Sequence, residues 1–140
     1  MQSPSRHEGE PTSAQWSVEL EPELDRLADA RTVVDTVADL AGVSERTRYM
    51  LKLAVHEALV NAMQHGARFA APVSLTACLD AHAVSFAVGD PGDPFDLDPG
   101  HEPGLQDRGR GLLLMRGGMD EVTQAPLERG KEIRLLKRLP

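Results

Sequence analysis

Three polar residues recur one helical turn apart in an apolar stretch of this 140-residue chain: Glu57, Asn61 and His65. Their i, i+4 and i+8 positions place them on one face of a helix. A carboxylate and an amide among apolar residues are unfavourable unless something satisfies them. An asparagine oxygen suits Mg²⁺, and Glu57 could take a proton from an attacking hydroxyl. A solvent-facing stripe or a packing network explains the same row, so both interpretations stay open.

A second candidate site lies where a predicted strand ends, in the segment Gly89-Asp90-Pro91-Gly92. An aspartate at a strand end can accept a hydrogen bond from an exocyclic amine such as that of adenine. Gly92 would leave room beside it for a flat base. The same residues are those of a plain turn, which is the alternative interpretation.

A third candidate is the run Gly109-Arg110-Gly111-Leu112, with Arg108 before it. A Gly-x-Gly segment that opens a helix can direct backbone N–H groups and the positive end of the helix dipole at phosphates. The arginines would add positive charge there. An ordinary glycine-rich helix start with surface arginines is equally compatible. Neither the P-loop nor the Rossmann fingerprint occurs in the chain.

Hydrophobic periodicity predicts the elements that position these residues. It indicates a strand over 16–20, a helix from Pro22 to Ala41 that Gly42 ends, and a second helix from Ser44 to about His65 that Gly66 closes. Alternating runs predict one antiparallel hairpin over 73–88 and another over 119–137, with a short helix over 111–115 between them. This order predicts an α+β two-layer sandwich, a mostly antiparallel sheet with helices on one face. Residues 1–13 are predicted to be a disordered tail, and 14–140 a single domain.

The charge balance limits the classes of partner that the chain can bind. The chain has 22 acidic and 15 basic residues and a formal net charge of -7. It therefore lacks the basic footprint of a duplex nucleic-acid binder or of a protein that binds an anionic membrane. One cysteine, Cys78, allows no intramolecular disulfide. The first residues are polar and no run of about 18 apolar residues occurs, so we expect neither a signal peptide nor a membrane span. We therefore expect a cytoplasmic protein that binds proteins or small ligands.

Taken in order, the three segments resemble the GHKL ATPase superfamily, in particular its small anti-sigma-factor serine/threonine kinases. The motif Glu57-x-x-x-Asn61-Ala62-x-x-His65-Gly66 is similar to the N box of that superfamily. Asp90-x-Gly92-x-Pro94-Phe95-Asp96 is similar to the first glycine box, and Gly109-Arg110-Gly111-Leu112 to the second. The resemblance covers nearly the whole chain.

The resemblance implies ATP and Mg²⁺ as ligands and gives each residue a role. Glu57 would be the general base, Asn61 a Mg²⁺ ligand, and Asp90 the residue that recognises adenine, with Gly92 beside the base. The segment from Gly109 to Leu112, including Arg110 and Gly111, would hold the phosphates. The chain departs from the family at Gly130-Lys131, where relatives often have Gly-Thr.

The resemblance also implies partners. The substrate would be a serine or threonine of a STAS-type anti-sigma factor antagonist, the second partner an RNA polymerase sigma factor, and the assembly a homodimer. Two alternatives stay open. One is a non-catalytic nucleotide-binding module that sequesters a protein, and the other is a switch kinase that acts on a STAS scaffold protein without binding a sigma factor.

Overall fold

The computed structural model describes residues 13–93 and 116–140. Their strands form one five-stranded sheet in the order β1-β2-β3-β5-β4, in which every neighbouring pair is antiparallel. The elements are β1 (Ala14–Leu20), α1 (Leu27–Ala41), α2 (Glu45–Phe69), β2 (Val73–Leu79), β3 (Ala83–Asp90), β4 (Glu121–Pro126) and β5 (Lys131–Arg138). The predicted α+β two-layer fold is confirmed. The predicted tail, except Ser13, and the predicted helix over 111–115 lie outside the described residues.

Strands β3 and β5 place charged residues at the end of an apolar stripe. Every second residue of β3 is buried, from Val84 to Asp90, and on β5 Lys131 alternates with buried Ile133 and Leu135. The antiparallel register sets Asp90 directly opposite Lys131. Successive side chains of a strand point to opposite faces, so both charged residues lie on the face that the helices cover.

Helix α1 begins later than the periodicity predicts. A 3-10 turn over Leu24–Arg26 precedes it, and Leu24 is 66% exposed. The chain is still turning tightly here, because the Arg26 N–H bonds to the Glu23 carbonyl. The predicted end is confirmed: Gly42 is left-handed, with φ of 69°, and its N–H bonds to the carbonyls of the last turn.

The prediction for α2 is right at its start and wrong at its end. The Ser44 hydroxyl accepts a hydrogen bond from the Thr47 N–H at 3.1 Å and caps the helix. Gly66 does not close it, because α2 continues to Phe69 and ends at Ala70, which is left-handed with φ of 52°. Gly66 is buried inside the helix, where a Cβ would lie 2.7 Å from the Ala71 carbonyl oxygen. A glycine is needed here for close packing and not for a turn.

Helix α2 packs one face on the sheet and against α1. That face carries the buried residues Leu51, Ala54, Val55, Ala58, Leu59, Ala62 and Met63. Glu57 and Asn61 lie at its margin and are half-buried, while Gln64 is exposed. Within the two described ranges, no helix is both long enough and apolar enough to cross a bilayer.

Candidate functional site

The polar row of α2 exists as predicted, with Glu57, Asn61 and His65 on one helix face. All three are half-buried, and successive members are about 6 Å apart along the helix axis. His65 is hydrogen-bonded, but within the described part of the chain the side chains of Glu57 and Asn61 have no hydrogen bond or ion pair. A partly desolvated carboxylate and amide are thus left available to another molecule.

Asp90 is the centre of a buried polar cluster with His65 and Lys131. Only 3% of Asp90 and 0% of Lys131 is exposed. Asp90 Oδ1 accepts hydrogen bonds from His65 Nδ1 at 2.8 Å and from the Gly92 N–H at 2.7 Å, and Lys131 Nζ lies 3.2 Å from Oδ2. Because a carboxylate only accepts hydrogen bonds, His65 Nδ1 carries a proton in this arrangement. The Asp90 carboxylate therefore has one partner on α2, one in the loop that follows β3 and one on β5.

Two glycines let the backbone close around this cluster. A Cβ at Gly92 would lie 2.6 Å from Cγ and Nδ1 of His65 and 3.0 Å from Asp90 Oδ1. Gly130 has φ of 87°, and a Cβ there would lie 2.2 Å from the Asp90 carbonyl oxygen. Gly92 thus has a packing reason to be glycine, and the room that it would leave for a base stays a prediction.

The other end of the row is apolar and closely packed. Met50 lies about two turns before Glu57 on the same side of α2. A Cβ at Gly118 would lie 2.7 Å from Met50 Cβ, so the backbone at Gly118 packs directly against α2. The half-buried Glu57 and Asn61 therefore lie between apolar packing at one end and the Asp90 cluster at the other.

The donor set fits Mg²⁺ that arrives with a phosphate ligand. Among residues 13–93 and 116–140, no three or more His, Cys, Asp or Glu side chains converge as a metal cage would require. Mg²⁺ is commonly held by one or two protein ligands together with substrate phosphates and water. Asn61, with an amide oxygen that no described residue engages, is suited to be such a ligand.

The structure brings part of the predicted site together. Asp90 and Gly92 meet the row of Glu57 and Asn61 through His65, which links strand and helix. The remaining predicted site residues, Gly109, Arg110, Gly111 and Leu112, lie outside the described residues and stay a prediction.

His65 and Lys131 have partners that the sequence patterns did not predict. For Lys131 the sequence did contain a signal. It alternates with Ile133 and Leu135 and so lies on the buried face of β5, where a lysine requires a charged or polar partner. For His65 the helical row was visible, but its bond to a strand end 25 residues later has no signature along the chain.

Comparison with known proteins identifies the family. A sequence model of the histidine kinase-like ATPase domain matches residues 20–137, from the last residue of β1 into β5. The chain belongs to this family. No curated protein matches it. The predicted membership of the GHKL superfamily is confirmed, and membership of this ATPase family implies that ATP is the ligand.

Proposed function

We propose that this histidine kinase-like ATPase domain is a Mg-ATP-dependent protein serine/threonine kinase. The observation that carries the proposal is the pair of unengaged, half-buried side chains of Glu57 and Asn61, in line with the buried Asp90 cluster. One end of this line suits a nucleobase and the other suits reacting phosphates. A purely structural polar network would instead be expected to satisfy its own members.

At the base end, Asp90 has acceptor capacity left for one more donor. An ionised carboxylate offers about four lone-pair sites. His65, Gly92 and Lys131 supply three donors, and the His65 Nδ1 proton is shared between Oδ1 at 2.8 Å and Oδ2 at 3.0 Å, so an exocyclic amine of the base would take the place of the longer His65 contact. A hydrogen bond to a charged acceptor in a buried site is stronger than one between neutral groups, which favours adenine over a base with an oxygen at that position.

At the other end, Glu57 would act as the general base. It accepts the proton of a serine or threonine hydroxyl while that oxygen forms a bond to the γ-phosphorus. The bond between the γ-phosphorus and the bridging oxygen breaks, and ADP leaves with the electron pair. Asn61 would bind Mg²⁺, which supplies charge neutralisation on the phosphates when it is bound.

The test is a phosphotransfer assay with purified protein, Mg-ATP and a STAS-type partner, read by mass spectrometry as phosphoserine or phosphothreonine. Glu57→Ala should abolish the signal and leave ATP binding intact. Glu45→Gln is the matched control, because Glu45 lies in the first turn of α2 and its side chain is 88% exposed. If the wild type binds ATP but transfers no phosphate, the kinase proposal is wrong.

The adenine role of Asp90 has its own test. Asp90→Asn should weaken ATP binding, measured by isothermal titration calorimetry. Asp93→Asn is the control, since Asp93 is exposed and only its carbonyl contacts the cluster, at 3.0 Å from Lys131 Nζ. Equal ATP affinity in Asp90→Asn and the wild type would contradict the assignment.

A second candidate function is a nucleotide-dependent binding module without phosphotransfer. It is favoured by the separation of the two ends, since the Asp90 cluster is complete without Glu57. In that case Glu57→Ala would leave capture of the protein partner unchanged, and the partner would stay unphosphorylated after incubation with the wild type and Mg-ATP.

The proposal extends to the partners that the resemblance implies. These are a STAS-type antagonist as the phosphorylated protein, an RNA polymerase sigma factor as the sequestered one, and a second copy of the chain in a homodimer. The support is the order and spacing of the three boxes. Co-purification of a sigma subunit would support anti-sigma activity, whereas phosphorylation of a STAS protein without sigma binding would favour the switch-kinase alternative. Light scattering would test the homodimer.

A further inference from the structure

Lys131 is a wholly buried lysine at the base end of the site. Lysine is almost never fully buried unless it is paired, and here its exposure is 0%. Its Nζ lies 3.2 Å from Asp90 Oδ2 and donates to the Asp93 carbonyl at 3.0 Å. The lysine therefore joins β5 to both the carboxylate and the backbone of the loop that follows β3.

The contact of Lys131 with Asp90 is made at Oδ2, the carboxylate oxygen that does not receive the Gly92 N–H. Oδ1 receives both the Gly92 N–H and the shorter of the two His65 contacts, whereas Oδ2 lies 3.0 Å from His65 Nδ1 and faces Lys131. Residues 90 and 131 are direct cross-strand partners, so the backbone register of β3 and β5 brings the two side chains together. Lys131 thus offsets the buried charge of Asp90 and limits rotation of the carboxylate about its last bond.

We infer that Lys131 is a positioning residue for base recognition, which aims the Asp90 acceptor at the 6-amino group of adenine. The inference rests on the proposed role of Asp90 in binding ATP. Lys131 acts through Asp90 and makes no contact with the base itself. Its effect should therefore appear in the choice between purines that differ at the 6-position, and only weakly in contacts to sugar or phosphate.

The chemical reason is the opposite polarity of two purine edges. Adenine has a donor at its 6-position, whereas hypoxanthine has an oxygen acceptor there, which an aimed carboxylate repels. A hydrogen bond to a charged group that is made with one ligand and lost with the other changes affinity by about 10- to 100-fold. Without Lys131 the acceptor is no longer held in place, and this discrimination should decrease.

The experiment compares binding of ATP and inosine triphosphate, with Mg²⁺, to wild type and to Lys131→Met. We expect the wild type to prefer ATP by about 10- to 100-fold and Lys131→Met to prefer it by less than about 3-fold. Lys137→Met is the matched control, because Lys137 is on the same face of β5 and also faces an aspartate, Asp120, at 3.8 Å. It should keep the wild-type ratio.

The ratio separates positioning from a general structural role. A variant that loses affinity for both nucleotides in equal proportion, or that keeps the wild-type ratio, would overturn the inference. A wild type that binds ATP without preferring it over inosine triphosphate would also overturn it. A wild type that binds neither nucleotide would overturn the proposed function itself, and this inference with it.

If Lys131→Met does not fold, Lys131→Gln takes its place. The glutamine side chain fills part of the space, but it is one bond shorter than lysine and carries no charge, so it should hold Asp90 less firmly. Its preference for ATP over inosine triphosphate should also decrease. Near-ultraviolet circular dichroism that matches the wild type would show that the variant is folded. A folded Lys131→Gln variant with the wild-type ratio would contradict the inference.

Discussion

The two ends of the polar row on α2 differ in how their side chains are satisfied. Asp90 and Lys131 are buried and engage one another, with His65 and the Gly92 N–H as further partners. Glu57 and Asn61, on the same helix face as His65, are half-buried and engage no other described residue. Paired groups add to folding and hold their orientation, whereas unpaired groups are left to interact with a ligand. Substitutions at the two ends should therefore separate stability from activity.

The largest effect is expected from Glu57→Gln in the phosphotransfer assay. Removal of a general base commonly lowers a rate by about 100- to 10,000-fold. The free energy of unfolding, measured in urea, should change by less than about 0.5 kcal/mol, because no described hydrogen bond or ion pair is lost and glutamine has nearly the same shape as glutamate. A large loss of stability with an unchanged rate would contradict the proposed contrast between the two ends.

The reverse pattern is expected at the paired end. Lys131→Met leaves a buried carboxylate without its cation, and removal of one member of a buried pair costs about 3–5 kcal/mol. The double variant Asp90→Asn/Lys131→Met should recover part of that loss, because the remaining amide is uncharged. Urea unfolding of both variants and of Lys137→Met measures this, and a double variant less stable than Lys131→Met would contradict the pairing.

A smaller effect is expected at the contact between Gly92 and His65. Gly92→Ala would push its methyl group against the imidazole, 2.6 Å away, and strain of this kind costs about 1–3 kcal/mol. ATP affinity should fall as well, because His65 helps to hold Asp90. Gly117→Ala is the control, since a Cβ there meets no atom of the described residues within 4 Å. Equal thermal stability in the two variants would show that the ring moves aside freely.

The smallest effect is expected from ion pairs on the side of α2 that faces α1. Asp35 Oδ1 lies 3.1 Å from both Arg48 Nη1 and Lys52 Nζ. Burial works to raise the pKa of Asp35, but the hydrogen bonds and charges of Lys52 and Arg48 outweigh it and lower that pKa below its usual 3.8. Such partly exposed pairs contribute about 0–1 kcal/mol, and Asp35→Asn should cost no more.

The pH dependence of that pair follows from the direction of the shift. A carboxyl with a lower pKa in the folded state stabilises the fold above its unfolded pKa and loses this contribution as the pH falls through the folded value. The difference in unfolding free energy between wild type and Asp35→Asn should therefore be full near neutral pH and shrink below 3.8. A difference that grows on acidification would contradict the assignment.

Local patterns along the chain predicted the fold class and its elements. The period-2 alternation of β2, β3 and β5 and the cap at Ser44 are short-range features, and each appears where the residues indicate. Glu57 and Asn61 were also predictable as neighbours, because the geometry of one helix sets their spacing. Gly66 was wrongly predicted to end α2, because both a helix end and close packing can require glycine. Only the position of the Ala71 carbonyl oxygen, 2.7 Å from where a Cβ would lie, distinguishes the two cases.

The amino-acid sequence by itself determined which residues could form a helix, a strand or a polar row. The tertiary structure decided which of these residues came into contact. The antiparallel register of β3 and β5 placed Asp90 opposite Lys131, and the packing of α2 on the sheet brought His65 to the same carboxylate. These contacts join residues far apart along the chain. Their formation depends on strand order and helix docking, which arise from burial of the whole core and have no local signature.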